Sequence, residues 1–319
     1  MKIAFFWTHD FSTAVLASII TKPDIEVKLI VSQPDKPVWR KKEILPTPLK
    51  EFWLKNNIEV LQPETLKNNT DFENKLKSLD LDFIIVVAYW KIIPVSILDI
   101  PKYYSINVHG SLLPKYRWAS PIQESIKNWD EKTWVSIMEM TAWMDEWWVF
   151  ETLDIEIDFL DKTPDLFKKF ESVSWNLLYK TLKSILDKNI KPIAQDDLSA
   201  TYCSKISKQD WEINFNLDWL EIFNKYKAFY PWPWIYTYFN WKKLDLCDVL
   251  FERNDSCLDD DFSIWDVVEY EDHWKTQIAI LVKSWLLILK EVKLEWKKQT
   301  DIFSFINWNK DFLDYNFTN

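Results

Sequence analysis

The chain has 319 residues, 48% hydrophobic and 28% charged, a composition typical of a folded protein with one large domain or two ordinary ones. It contains no run of about 18 apolar residues that would span a membrane, and its short apolar start predicts a first β-strand rather than a signal peptide. The net charge of −10 excludes a general attraction to nucleic acid, although it does not exclude a local basic patch.

Short apolar runs alternate with helical patterns through the first two-thirds of the chain. The predicted strands are 2–6, 26–33, 58–63, 83–90 and 104–109, and the predicted helices between them are 11–20, 47–56 and 72–79. The run FIIVVA is apolar on both faces, as in a central strand of a parallel sheet. This alternation predicts an α/β fold with a Rossmann-like, open and mostly parallel sheet, whose strands ending near Tyr89 and His109 open into the site.

The pattern changes toward the C-terminus. Strands at 134–140 and 149–157 precede a long helical pattern from about Asp165 to Lys188. Short strands then follow one another in WIYTYF, KKLDLCDVLF, TQIAILVK and LLILKEVKL. They predict a small, OB-like β-barrel domain. The expected division is therefore a first domain at 1–195, a linker at 196–206 and a second domain at 207–319.

The cysteines give no sign of a covalent framework or a metal centre. Cys203, Cys247 and Cys257 are odd in number and widely spaced, which predicts neither a disulfide network nor a zinc site. Since the chain also has no clustered His/Cys set, we expect a cytosolic enzyme that needs no metal.

Glycine and tryptophan are present in abnormal amounts. The chain has 1 Gly and 21 Trp, whereas average usage would give roughly 22 glycines in a chain of this length. With one glycine, almost no residue reaches φ > 0 without steric cost. The surplus of Trp matches the deficit of Gly, which indicates that most of these Trp stand where glycine belongs.

Six stretches match one family pattern, in the order SQPDKPVWRKKEILPTPLK, VVAYWKIIP, INVHGSLLPKYRWASPIQ, WVSIMEMTAWMDEWW, ATYCSKISKQDWEINF and FYPWPWIYT. They resemble the methionyl-tRNA formyltransferase family. The first three resemble its first long loop, its central strand and its signature. The fourth resembles the loop of its catalytic aspartate, and the last two resemble the entry to its C-terminal domain. The signature alone fits all folate-dependent formyltransferases, whereas the QPD loop and the PWP element narrow the resemblance to the tRNA enzyme. The resemblance implies formyl transfer from 10-formyltetrahydrofolate to initiator methionyl-tRNA, by a cytoplasmic monomer.

By this resemblance the catalytic residues are Asn107, His109 and Asp145. Asn107 and His109 share one strand face through their i, i+2 spacing. The Asn amide can donate to an oxyanion, and His109 can donate to the same oxygen or relay a proton. Asp145 can keep the histidine protonated or position a water for proton transfer. The alternatives are a structural pair at a strand end and a solvated loop carboxylate.

The resemblance also places the folate co-substrate between the end of the central strand and the Asp145 loop. Backbone groups there can pair with the pterin edge, while apolar side chains hold the ring. The turn after His109 is expected to complete this site, with Ser111 and Pro114 shaping the turn rather than reacting. The predicted folate-binding residues are Val87, Ala88, Tyr89, Ser111, Leu112, Leu113 and Pro114.

Basic residues of the first long loop are the predicted contacts to tRNA phosphates. Arg40 aligns with a family arginine used there, and Lys36, Lys41 and Lys42 lie beside it. The alternative is a solvated basic loop. In the second domain the residues expected to extend this track are Lys205, Lys208, Lys225 and Lys227.

Most tryptophans fall where the family, or a turn, favours glycine. Family glycines align with Trp7, Trp39, Trp90, Trp118, Trp134, Trp143, Trp147, Trp211 and Trp234. Turn contexts hold Trp129, Trp148, Trp175, Trp241, Trp265, Trp274, Trp285, Trp296 and Trp308. Trp232 matches a family Trp, while Trp53 and Trp219 stay unassigned. The hypothesis is that UGA encodes glycine in the source lineage and was translated as Trp. These Trp are then expected to be exposed, or strained in loops. The alternative is a Trp-rich protein whose aromatics stack on sugars or bases.

Two other functions are compatible with parts of the pattern. A formyltransferase acting on a nucleotide-sugar amine or another small amine would share Asn107, His109 and Asp145, but would not need the Arg40 loop or the β-rich domain. A non-catalytic folate- or RNA-binding relative would keep its function without Asn107 or His109.

Overall fold

The computed structural model describes residues 1–8, 10–34, 58–89, 91–140, 148–213, 217–254, 262–283 and 285–317. The chain divides into two compact units. The first comprises Met1–Ile122, Glu131–Ile157 and Asp165–Ser204, and the second Gln123–Asp130, Asp158–Pro164 and Lys205–Asn319. Within the described ranges, no helix is both long enough and apolar enough to cross a membrane.

The first unit is built on a seven-stranded sheet and a short two-stranded pair. Its strands are β1 (Lys2–Trp7), β2 (Glu26–Ser32), β3 (Val60–Leu61), β4 (Phe83–Val87), β5 (Tyr104–His109), β6 (Arg117–Trp118), β7 (Lys132–Glu139), β8 (Val149–Glu156) and β9 (Tyr202–Cys203). The large sheet has the order β3-β2-β1-β4-β5-β7-β8 and is parallel from β3 to β5, with β7 and β8 antiparallel. The predicted open, mostly parallel sheet is confirmed. Its strand order reverses between β1 and β4, the switch point where such sheets bind ligands.

Helices cover the strands in the first part of the chain. They are α1 (Asp10–Ile19), α2 (Thr70–Ser78), α3 (Val95–Leu98), α4 (Pro121–Lys127) and α5 (Thr163–Leu186). Asn69 caps α2 by accepting a hydrogen bond from the backbone N of Phe72 at 3.1 Å. Phe72 and Leu76, one turn apart, then pack into the core with Phe6 and Ile84. The predicted helix at 47–56 lies outside the described residues.

The second unit contains an antiparallel sheet with helices beside it. Its elements are α6 (Trp219–Phe229), β10 (Ile235–Phe239), β11 (Lys242–Arg253), β12 (Val267–Asp272), β13 (Lys275–Val282), β14 (Trp285–Leu294), β15 (Thr300–Asp301) and α7 (Ile302–Trp308). Alternate residues of β13 enter different cores, with Ile278 and Ile280 in one cluster and Ala279 and Leu281 in the other. The predicted β-rich domain is confirmed as this antiparallel sheet.

Among the residues that the structure describes, seven tryptophans have a left-handed backbone, with φ between 61° and 79°. They are Trp118, Trp129, Trp234, Trp241, Trp265, Trp274 and Trp296. Trp241 and Trp274 are the second residues of two-residue hairpin loops, and they are 96% and 100% exposed. Trp7, Trp134 and Trp175 depart from the expectation of exposure or loop strain, because they lie within β1, β7 and α5 and have no positive φ. Trp7 is buried, and its indole N–H has no partner among the described residues.

Candidate active site

β5 presents the polar pair predicted from the sequence. It lies between β4, where Val86 is opposite Asn107, and the antiparallel β7, where Ser136 is opposite His109. His109 is 7% exposed, and Asn107 is half-buried. The Asn107 Nδ2 lies 3.9 Å from the Met138 sulfur, a weak acceptor. The amide therefore keeps its donors available for a stronger acceptor.

The ring of His109 has a defined hydrogen-bond partner. Its Nε2 lies 3.1 Å from the backbone carbonyl oxygen of Tyr116. A carbonyl can only accept, so Nε2 must carry the hydrogen. In the neutral ring Nδ1 is then the nitrogen with the free lone pair, the one that can accept a proton.

Hydrogen bonds within the turn after β5 fix its shape. The Ser111 hydroxyl donates to the carbonyl of Lys115 at 2.8 Å, and the Ser136 hydroxyl donates to the carbonyl of Ser111 at 2.5 Å. Ser111 is fully buried and Leu113 is 7% exposed, whereas Leu112 and Pro114 are half-buried. Because its hydroxyl closes the turn, Ser111 is placed to shape the site rather than to react.

The single glycine has a packing role at the start of this turn. A Cβ on Gly110 would lie 3.2 Å from Cγ1 of Ile122 and 3.5 Å from the ring of Phe170. Its φ is not in the left-handed region. Close approach, rather than turn geometry, therefore requires glycine at this position.

Unpartnered polar atoms gather at the switch point between β1 and β4. Among the described residues, Trp7 Nε1, Thr8 Oγ1 and the Tyr89 hydroxyl are buried without a hydrogen bond. The Tyr89 ring packs edge-on against Phe6 at 5.4 Å, and burial raises the pKa of its phenol to about 12. Val87 is fully buried, and Ala88 turns the chain with φ at 49°. Buried donors and acceptors without partners fit a ligand edge that has both, as a pterin has.

Five predicted site residues lie outside the described part of the chain. They are Asp145, Arg40, Lys36, Lys41 and Lys42. Glu139, near the Asp145 loop, is opposite Ile106 and so belongs to the sheet face away from Asn107. Burial raises the pKa of its carboxyl.

The basic residues of the second unit differ in their exposure. Lys205 and Lys208 are exposed. Lys227 is 2% exposed, and its ammonium donates to the carbonyl of Phe159 at 2.7 Å. The Lys225 ammonium donates to the carbonyl of Glu212 at 2.8 Å, and burial lowers its pKa. The expectation that Lys227 extends a surface track is therefore wrong, because its charge points into the protein.

No sequence pattern indicated a role for the segment around Thr201, which holds the turn after β5. The backbone N of Tyr116 donates to the hydroxyl of Thr201, a residue 85 positions later in the chain. Local patterns carry no signal for such a contact. Arg117 stands in the signature itself, and its 1% exposure marks a buried guanidinium that needs partners.

Similarity to known proteins extends over both units. Residues 1–182 match the formyl transferase family, and residues 205–310 match its C-terminal domain. The methionyl-tRNA formyltransferase of Caldicellulosiruptor saccharolyticus is 38% identical over 311 residues, 97% of each chain.

Two solved structures share the fold. The methionyl-tRNA formyltransferase from Clostridium thermocellum has a TM-score of 0.56 at 16% identity, over 78% of this chain and 93% of that one. WlaRD, a sugar 3N-formyl transferase solved in the presence of dTDP and 5-N-formyl-THF, has a TM-score of 0.60 at 18% identity, over 93% and 99%. The full-length similarity to the C. saccharolyticus enzyme settles the assignment: this chain belongs to the methionyl-tRNA formyltransferase family.

Proposed function

We propose that the chain transfers the formyl group of 10-formyltetrahydrofolate to the amino group of methionine on initiator tRNA. The observation that carries this proposal is the 38% identity to a methionyl-tRNA formyltransferase across 97% of both chains, including the C-terminal domain. The alternative substrate, a nucleotide-sugar amine, is not favoured, because WlaRD shares only 18% identity with this chain. Since charged initiator tRNA is a cytoplasmic substrate, we expect the enzyme to act there, as a monomer.

Asn107 and His109 supply donors and a proton acceptor on one strand edge. The folate supplies the formyl carbon, and attack by the methionyl amine places negative charge on the formyl oxygen. The Asn107 amide donates to that oxygen, a neutral donor that needs no reorganisation. His109, with hydrogen on Nε2, accepts the amine proton at Nδ1 and returns it to the leaving folate nitrogen. Asp145 stabilises the imidazolium that forms in between.

The folate site lies at the switch point of the sheet. The polar atoms of Thr8 and Tyr89 and the backbone from Val87 to Tyr89 pair with the pterin edge. Leu112 and Leu113 supply apolar surface beside the polar edge, and Ser111 and Pro114 keep the turn in place. The chain's own residues supply all of these contacts, without a metal.

For the tRNA, Arg40 with Lys36, Lys41 and Lys42 contacts the acceptor stem, and Lys205 and Lys208 continue the track in the second domain. Both of these last two are exposed, as phosphate contacts require. The proposed roles divide the chain into a catalytic domain at 1–195, a linker at 196–206 and a tRNA-binding domain at 207–319.

A comparison of two substrates tests the proposal. Purified enzyme is given 10-formyltetrahydrofolate with either methionyl initiator tRNA or a nucleotide-linked amino sugar, and the formylated product is measured. We expect turnover on the tRNA and a loss of about 10²–10³-fold in kcat for Asn107→Ala. Turnover only on the amino sugar would overturn the substrate assignment.

His109→Ala tests whether the chain is an enzyme. Asp154→Asn is the control, because Asp154 forms an exposed ion pair with Lys132 on neighbouring strands and should leave activity unchanged. If Asn107→Ala and His109→Ala both remain as active as the parent chain, the protein is a binding relative rather than a formyltransferase with this site.

We also propose that most of the tryptophans are glycines in the natural protein, through a UGA codon. All seven left-handed Trp are among the positions where the family or a turn favours glycine. Asn240-Trp241 and His273-Trp274 have positive φ at both residues, the geometry of type I′ hairpin loops, in which Asn-Gly is the preferred pair. The gene decides this: UGA codons at positions 118, 241 and 274 agree with the proposal, and UGG codons contradict it.

A further inference from the structure

We propose that the segment Gln195–Cys203 is a clamp that fixes the tautomer of His109, with Thr201 as its central positioning residue. The clamp acts through the Tyr116 carbonyl, the acceptor of the His109 Nε2 hydrogen. This inference rests on the proposed function only in treating His109 as catalytic. The clamp itself stands on hydrogen bonds within the first unit.

Thr201 holds the catalytic turn by three hydrogen bonds to the backbone of the turn. Its hydroxyl accepts from the backbone N of Tyr116 at 2.9 Å, and its carbonyl accepts from the N of Arg117 at 2.9 Å. Its own N donates to the carbonyl of Pro114 at 3.2 Å. These bonds enclose the peptide whose carbonyl faces His109, so that peptide cannot rotate without breaking at least one of them.

A buried guanidinium adds a second layer to the clamp. Arg117 is 1% exposed, and its Nε, Nη1 and Nη2 donate to partners on the clamp. The partners are Gln195 Oε1 at 3.1 Å, the Tyr202 hydroxyl at 3.3 Å and Asp197 Oδ1 at 2.6 Å. β6 and β9 then pair in parallel, Arg117 with Tyr202. Since a planar guanidinium presents its donors in a rigid fork, this layer fixes direction as well as distance.

The clamp matters for chemistry because an imidazole can exchange its tautomer. If the Tyr116 carbonyl turns away, Nε2 loses its acceptor and the hydrogen can move to Nδ1. The nitrogen that must accept the amine proton would then be protonated already. Tyr116 has a φ of 58°, a backbone conformation that a non-glycine residue keeps only when its surroundings hold it. Thr201 and Arg117 supply that restraint.

Thr201→Val tests the clamp, since it removes the hydroxyl and keeps the branched shape. We expect kcat to fall about tenfold, with the KM for folate unchanged, and Thr201→Ser to restore it. The spectroscopic measurement is a long-range ¹H–¹⁵N spectrum of the imidazoles. The chain has 3 His, and His109→Gln identifies the signal. In the parent chain His109 should show hydrogen on Nε2, and in Thr201→Val a mixture of tautomers.

Two results would overturn the clamp. One is an unchanged His109 tautomer in Thr201→Val, whatever the activity. The other is a Thr201→Ser variant that behaves like Thr201→Val. If Thr201→Val does not fold, Asp197→Ala carries the same test, because it removes the acceptor of the Arg117 Nη2 hydrogen at a side chain that is 78% exposed. Full activity in His109→Gln would instead refute the proposed function, while the tautomer measurement would still decide the clamp.

Discussion

Replacing Trp241 and Trp274 by glycine should stabilise the second unit. Both residues complete two-residue hairpin loops, after Asn240 at φ 48° and His273 at φ 43°, and both are left-handed themselves, at 63° and 67°. Neither side chain buries surface, since they are 96% and 100% exposed. The double variant Trp241→Gly/Trp274→Gly therefore removes strain without removing packing.

The magnitude follows from two opposing terms. A side chain in the left-handed region costs roughly 1–2 kcal/mol per residue. Glycine costs about 0.5–1 kcal/mol through the extra freedom of the unfolded chain. The midpoints of these ranges differ by about 0.75 kcal/mol at each site, so the pair should raise the free energy of unfolding by about 1.5 kcal/mol. At about 2–4 °C per kcal/mol, the thermal midpoint rises by about 3–6 °C.

Calorimetry of the full chain is the assay, because a protein with two units can unfold in more than one transition. Trp308→Gly is the matched control. Trp308 is 89% exposed but is the last residue of α7 and has no positive φ. Glycine there should leave stability unchanged or lower it by about 0.5 kcal/mol.

A double variant no more stable than the parent chain would refute the reasoning that these loops are glycine sites. So would a gain of the same size in Trp308→Gly, because removing an exposed indole would then explain both results. If only the loop variants are stabilised and the gene has UGG at these positions, the two tryptophans are strained but are not recoded glycines.

Three further outcomes are expected. Gly110→Ala should lower the free energy of unfolding in urea by about 1 kcal/mol, since its Cβ would press on Ile122 at 3.2 Å; an unchanged midpoint would contradict this. Burial lowers the pKa of Lys227 from 10.5 to about 8, so between these values the unfolded chain binds more protons and stability should rise with pH. The parent-minus-Lys227→Met difference in free energy of unfolding should therefore rise from pH 8 to 10, by at most about 1.4 kcal/mol per pH unit, and a flat difference would refute it. Arg40→Ala should weaken tRNA binding and reduce its salt slope by about 1, whereas an unchanged slope would remove Arg40 from the phosphate contacts.

Local patterns predicted the strands of the catalytic sheet well. The predicted strand at 104–109 has the bounds of β5, and FIIVV forms the fully buried β4. β4 is apolar throughout because both of its faces are covered, so its short continuous apolar run, rather than a period, identifies it as a strand. The long helix predicted at about 165–188 begins and ends two residues earlier, as Thr163–Leu186.

Four described elements of the second unit were not predicted, α6, β12, β15 and α7, and the first two show different reasons. α6 is crowded with aromatic residues that hide its period, although a capping box marked its start, with Asp218 as N-cap and Glu221 bonding back to it. β12 is a short strand next to an acidic stretch, and its pairing with β13 gives it order.

Part of the candidate site could likewise be predicted from the sequence, and part could not. The shared face of Asn107 and His109 follows from their spacing, because side chains alternate along a strand. The partner of the His109 ring does not follow from spacing, since Tyr116 is held through its backbone N by the hydroxyl of Thr201, 85 residues away. Sequence spacing identifies which side chains share a strand face, whereas the tautomer of His109 depends on long-range contacts.

Segments of the two units alternate along the sequence, so the second unit receives two of its segments before the first unit is complete. A ribosome has released all of the first unit once Ser204 emerges, but Asp158–Pro164 by then still lacks its partners. Lys162 must wait for the Tyr226 hydroxyl, 2.9 Å from its ammonium, and Thr163 for the carbonyl of Ala228, at 2.7 Å. The nascent first unit therefore carries an unfinished segment until Tyr226 and Ala228 have emerged, and a chain cut after Ser204 separates that segment from these partners.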